Sequence, residues 1–112
     1  MKIAELLEND HGDDSHLDDM SKHAQNATEL LKALASESRL MILCLLVDGE
    51  KSVGQLHKLT NRIQSSVSQE LARLRRQDLV ESRRDGKKVY YSIKSKEAKS
   101  IIAALHDIYC KN

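Results

Sequence analysis

Residues 61–93 read NRIQSSVSQELARLRRQDLVESRRDGKKVYYSI, and two different periodicities meet inside them. Val67, Leu71 and Leu74 recur at i, i+4 and i+7, the spacing that gathers side chains on one face of a helix, so this face is predicted to enter a core. At about 100° per residue the opposite face carries Arg62, Ser65, Ser66, Gln69 and Arg73, with Gln64 and Ser68 beside them. These are hydrogen-bonding groups of the length that reaches base edges and phosphates. The helical pattern stops at Asp78-Leu79. Residues 80–84 and 88–93 then alternate, with Val89, Tyr91 and Ile93 on one side of the pleat and Asp85-Gly86 between the two runs. Asp-Gly between alternating segments predicts a hairpin closed by a two-residue type I′ turn, which needs positive φ at both central positions. A polar helix is therefore followed by a hairpin tipped with Arg83, Arg84, Lys87 and Lys88.

The rest of the composition suits this reading. The chain has 112 residues, room for one domain with a modest core, and it contains neither proline, phenylalanine nor tryptophan. The core must come from Leu, Ile, Val, Ala and Met, a mainly helical choice. Net charge is only +1, yet residues 1–20 hold seven acids against one base, while residues 51–99 hold thirteen bases against five acids. A basic concentration on the helix-and-hairpin half attracts a polyanion through counterion release. A plain solvated surface is the commoner fate of Lys and Arg, and coincidence with the recognition-like helix is what favours double-stranded DNA as partner. The longest apolar run, residues 40–47, is too short to span a membrane, and residues 1–12 lack the apolar stretch of a secretory signal, so a cytoplasmic location is expected.

In chain order, residues 1–17 form an acidic, turn-prone N-terminal arm, expected to be mobile, and residues 18–112 form the folded domain. His11, His16 and His23 beside Asp13 and Asp14 lack tight metal-ligand spacing. From Asp18 a first helix carries a narrow stripe of Met20, Ala24, Ala27, Leu31 and Leu34, and Ser95 caps a last helix with Ala98, Ile101, Ile102, Leu105, Ile108 and Tyr109 on its apolar side. Two such stripes suggest a homodimer interface; packing within one subunit is the simpler alternative. Between them, Ser36-Glu37-Ser38-Arg39 opens a helix apolar on every side. Asp48-Gly49-Glu50-Lys51 ends it, and Ser52 caps a short helix that turns at Thr60-Asn61 into the polar one. Helix, turn, helix, hairpin is the order of a winged helix-turn-helix: mainly α with a β-hairpin wing, α1-α2-α3-α4-β-β-α5.

The run Leu34-Ala35-Ser36-Glu37-Ser38-Arg39-Leu40-Met41-Ile42-Leu43, the segment Ser65-Ser66-Val67-Ser68-Gln69-Glu70-Leu71 with Leu74-Arg75, and the wing ending Val89-Tyr90-Tyr91-Ser92-Ile93 resemble the ArsR/SmtB family of small dimeric winged-helix repressors. The resemblance covers residues 20–112 and implies dimerisation through α1 and α5 and binding to a palindromic operator. The chain departs from the family pattern at Glu70, usually His, at Ile63, usually a helix-capping residue, and at Arg62, usually Leu. An acid at position 70 either accepts from cytosine or pairs with an arginine.

Cys44 in the second helix and Cys110 near the chain end resemble the dithiol branch of that family. This implies a repressor that senses reactive sulfur species, persulfides or oxidants through the pair and releases DNA on oxidation. Some relatives instead activate, by displacing another DNA-bound silencer. Taken alone, Cys44 reads as a small buried hydrophobe. Cys110 changes that balance, having Lys111 next to it and His106 four residues before it, although the carboxyl end of a helix disfavours an anion. The family's metal sensors carry a cysteine pair on the third helix or an Asp/His set on the last. Here the third helix has no thiol and the last offers only His106 and Asp107, so a metal-responsive repressor is the alternative, with no metal site and no cofactor expected. No enzyme is expected either, because neither cysteine sits in a Cys-x-x-Cys pair of the kind that thiol oxidoreductases use. A protein-interaction module that does not bind DNA is the remaining class, separable by gel shift.

Overall fold

The computed structural model describes residues 14–110, with side chains from Leu17 onward. The chain divides into two units, residues 1–32 and 33–112. The first contributes most of helix α1 (Asp14–Leu34), which starts four residues before the predicted Asp18. Residues 1–13 of the proposed arm lie outside the described residues, as do His11 and Asp13 and the side chains of Asp14 and His16.

The second unit is built around α2 (Glu37–Leu46), which packs against α3 (Val53–Thr60), α4 (Gln64–Arg76), α5 (Lys96–Tyr109) and strand β3 (Lys88–Ile93). Ser36, in extended backbone, caps α2 by accepting from the Arg39 N–H. Although residues 40–47 are all apolar, only Ile42, Leu43 and Leu46 are buried, and Leu40, Met41, Cys44, Leu45 and Val47 are half-buried. The chain therefore covers one side of the helix and leaves the other partly open. Leu56, Val67, Leu71, Leu74, Val80 and Ile102 close the core from the surrounding elements.

Local chemistry explains each boundary. Ser52 and Gln55 form a reciprocal capping box at the start of α3: the Gln55 N–H donates to Ser52 Oγ at 3.2 Å and the Ser52 N–H donates to Gln55 Oε1 at 2.8 Å. Asn61, at φ +55°, ends that helix in the left-handed region. Helix α4 ends in a Schellman motif: Asp78 N–H bonds to the Arg75 carbonyl, Leu79 N–H bonds to the Leu74 carbonyl, each at 3.0 Å, and Asp78 takes φ +59°. Buried Leu79 and Leu74 supply the accompanying apolar contact. Only a residue tolerant of positive φ fits there. Asp78→Val is expected to lower stability by about 1–2 kcal/mol in denaturant titration, whereas Asp78→Gly should keep it near native.

The sheet has three strands in the order β1-β3-β2, all antiparallel. Strand β1 (Lys51–Ser52) pairs with Tyr91 and Tyr90, and it was not anticipated from the sequence. It makes β3 the central strand, so both faces of β3 are half-buried from Val89 on and a simple in-out alternation does not hold. The hairpin is where it was expected, with one correction. Strand β2 (Val80–Asp85) includes Asp85, paired with Lys88, so the turn residues are Gly86 and Lys87. Positive φ occurs at Gly86 alone, which fits a turn with glycine at its first central position and excludes type I′.

Candidate nucleic-acid interface and thiol pair

Helix α4 buries Val67, Leu71 and Leu74, and that fixes what it shows to solvent. Gln64, Ser65, Ser66, Ser68, Gln69 and Arg73 are all exposed. Arg76, also exposed, lies seven residues after Gln69 and shares its face; the same spacing rule that picked out Arg73 picks it out too. Ile63 occupies the N-cap position without a side-chain hydrogen bond, leaving the first-turn N–H groups uncapped beside the Ser65 and Ser66 hydroxyls. Uncapped N–H groups and a helix dipole favour a phosphate at that end.

Arg62 behaves differently. It is half-buried, its Nη2 lies 3.7 Å from Glu37 Oε1, and its Nε is buried without a hydrogen-bond partner. It lines a shallow pocket with Ser38, Ile42, Ser66, Val67, Gln69 and Glu70 and so stands at the seam of α2 and α4. Glu70 resolves the choice left by the sequence. Its carboxylate accepts from Arg39 Nη1 at 3.4 Å, while Arg39 Nε donates to the Ala33 carbonyl at 2.7 Å. The unusual acid is thus part of an ion pair tying α2 to α4.

On the wing, Arg84, Lys87 and Lys88 are exposed, and Arg83 is engaged. Arg83 Nε donates to Glu50 Oε2 at 2.8 Å, its Nη2 bonds the other Glu50 oxygen, and Asp85 lies 3.9 Å from Nη1. The guanidinium also lies over the Tyr90 ring, 4.8 Å from its centre. This pairing holds the Glu50 carboxyl below, and the Arg83 guanidinium above, their ordinary values.

Cys44 is half-buried on α2, Cys110 is exposed at the C-cap of α5, and both are free thiols on helices that pack against each other. Burial pushes the Cys44 thiol up, and negative charge at Cys110 pushes it the same way. Because the thiolate is the reactive form, Cys110 is expected to alkylate several-fold faster than Cys44 at neutral pH. The Cys44 rate should climb only above the usual thiol range near pH ~8.5, as peptide mapping after timed iodoacetamide treatment will register. Among the described residues, no group of three or more His, Cys, Asp or Glu side chains is placed to hold a metal ion, and no helix is long and apolar enough to cross a membrane.

Known proteins share this fold. The model of bacterial regulatory proteins of the arsR family matches residues 36–82, from the cap of α2 into β2. The transcriptional activator HlyU of Vibrio cholerae is 46% identical over 96 residues, covering 86% of this chain and 89% of its own. The chain belongs to the ArsR family. Among solved structures, HlyU from Vibrio vulnificus is similar with a TM-score of 0.81 at 48% identity, covering 84% of this ArsR-family chain and 98% of that one. The transcriptional repressor BigR from Xylella fastidiosa gives 0.76 at 40% identity, covering 83% and 92%. The winged-helix fold expected from the sequence is the fold of these relatives. The protein is accordingly a DNA-binding transcriptional regulator of the ArsR family and not an enzyme.

Proposed function

We propose that this ArsR-family regulator is a cytoplasmic homodimer, joined through α1 and α5, that represses from a palindromic operator and lets go when Cys44 and Cys110 are joined by reactive sulfur species or oxidants. The observation that carries the switch is that the two free thiols, one half-buried and one exposed, lie on helices α2 and α5, which pack against each other. Half-buried apolar residues on α2, with Ile108 and Tyr109 exposed at the end of α5, leave apolar surface for a second subunit. DNA contacts are assigned to Gln64, Ser65, Ser66, Ser68, Gln69 and Arg73 on α4 and to Arg84, Lys87 and Lys88 on the wing. Arg62 stands at the edge of that surface and Arg83 is held back from it.

The chemistry balances in two ways. A Cys110 thiolate takes a sulfane sulfur from a polysulfide, which leaves one sulfur shorter; attack by the Cys44 thiolate on the Cys110 sulfur then forms a disulfide and expels hydrosulfide. If both cysteines become persulfides, their condensation gives a trisulfide and one hydrogen sulfide. Mass spectrometry of polysulfide-treated protein separates these products, and a protein in which neither cross-link forms refutes the switch. One relative's structure is described as reduced HlyU from Vibrio cholerae, which distinguishes a redox state of that protein.

Arg73→Ala is expected to weaken operator binding by about 1–3 kcal/mol, roughly tenfold or more, in a gel shift at fixed salt. The activator name carried by HlyU of Vibrio cholerae favours a second reading, in which the protein activates by displacing a DNA-bound silencer. Transcription in vitro from naked template tests it: a repressor lowers output directly, whereas a displacing activator has no effect until the silencer is added. Zinc-dependent release by the Cys44→Ser/Cys110→Ser variant would instead support a metal-responsive repressor.

A further inference from the structure

The wing carries four cations, yet its two-pronged contact, from Arg83 to Glu50, is internal. Arg83 presents a flat fork suited to a phosphate, and Glu50 fills that fork with two hydrogen bonds. Asp85 stands by Nη1 and the Tyr90 ring covers one face, so both edges and a face of the guanidinium are occupied. Glu50 comes from the loop after α2, 33 residues away in sequence, and both side chains are solvent-accessible, at 38% and 54%. Among the described residues, the neighbouring Arg84, Lys87 and Lys88 have no such carboxylate over them. A carboxylate and a DNA phosphate cannot both take the same fork.

We propose that Glu50 is an internal stand-in for a DNA phosphate, which withholds Arg83 from the duplex and sets the affinity of the regulator below what its wing could reach. This rests on the wing lying against DNA. Without Glu50, Arg83 is free to swing onto the backbone and adds one phosphate contact per protomer. With Glu50 in place, Arg83 contributes little to binding, although its position in the sequence marks it as a contact.

The test uses the full-length reduced protein and a mixed-sequence duplex, since phosphate contacts are independent of base sequence. Affinities of the wild type, Glu50→Gln, Arg83→Gln, the double variant and, for comparison, Arg84→Gln are measured by fluorescence anisotropy across a salt series. Glu50→Gln should bind more tightly, and its dependence of log affinity on log salt should steepen by about 0.9 per added contact. Its advantage over wild type should shrink about threefold for each added contact, roughly tenfold for a dimer that gains one on each wing, on going from roughly 50 to 200 mM salt. Arg83→Gln alone should change little, and the double variant should lose the gain. If Glu50→Gln binds no better, or Arg83→Gln weakens binding as much as Arg84→Gln does, the brake does not exist and the pair is only a structural tie. Wild-type protein without salt-sensitive binding would overturn the DNA reading itself. Circular dichroism melts of all five proteins identify any change that comes from misfolding.

Discussion

Cys44→Ser and Cys110→Ser proteins are each expected to bind operator DNA as the wild type does and to stay bound in polysulfide that releases the wild type completely. The expectation follows from where the two sulfurs lie. In the proposed switch, Cys110, exposed at the end of α5, would meet the reagent, and Cys44, half-buried on α2 with its thiol pushed up, would resolve the first adduct. Loss of either leaves a single persulfide that cannot bridge the helices. Neither substitution touches the core, because Cys44 is only partly covered and serine is close to it in size. Gel shifts in reduced and polysulfide-treated samples check the prediction. Normal release by either variant would show that the switch lies elsewhere, with the DNA-reading half of the molecule unaffected.

The second large effect is on the fold. Leu71→Ala should lower the unfolding free energy by about 3 kcal/mol, since Leu71 is fully buried and its truncation leaves a cavity as well as lost contact. Against a total of roughly 5–15 kcal/mol for a domain, that is a severe loss. It corresponds to a melting temperature lower by more than about 10 °C. The contrast with Arg73→Ala, two residues along the same helix, is the informative part. Arg73 is exposed, so its removal should weaken DNA binding without moving the melt, whereas Leu71→Ala should move the melt first. Thermal denaturation of both variants beside their gel shifts separates the face that packs from the face that reads.

Much of this architecture could be read from residues alone. Val67, Leu71 and Leu74 announced the buried side of α4, and Ser36, Ser52 and Ser95 marked three helix starts where capping serines are found. What stayed hidden has physical causes. Strand β1 is two residues long and offers no alternation to detect. Arg83, Arg84 and Asp85 are all exposed and charged, so nothing in the pattern told the last strand residue from the first turn residue, and the turn fell one position later than Asp-Gly suggested. The Glu50–Arg83 and Arg39–Glu70 pairs join residues 33 and 31 positions apart, a separation only tertiary structure bridges. Arg62 and Arg83 look like Arg73 in a string of letters; their carboxylate partners set them apart.

Ser52 holds two posts. Its backbone pairs with Tyr90 in the sheet, and its hydroxyl caps α3. The element that leads into the reading helix and the inner strand of the wing therefore meet in one residue with no slack between them. Hydrogen-bonded amides of α3 beyond its first turn and those along β3 should exchange with solvent at matched rates, as parts of a single opening unit. Whatever tilts the wing on a duplex must tilt the helix-turn-helix with it.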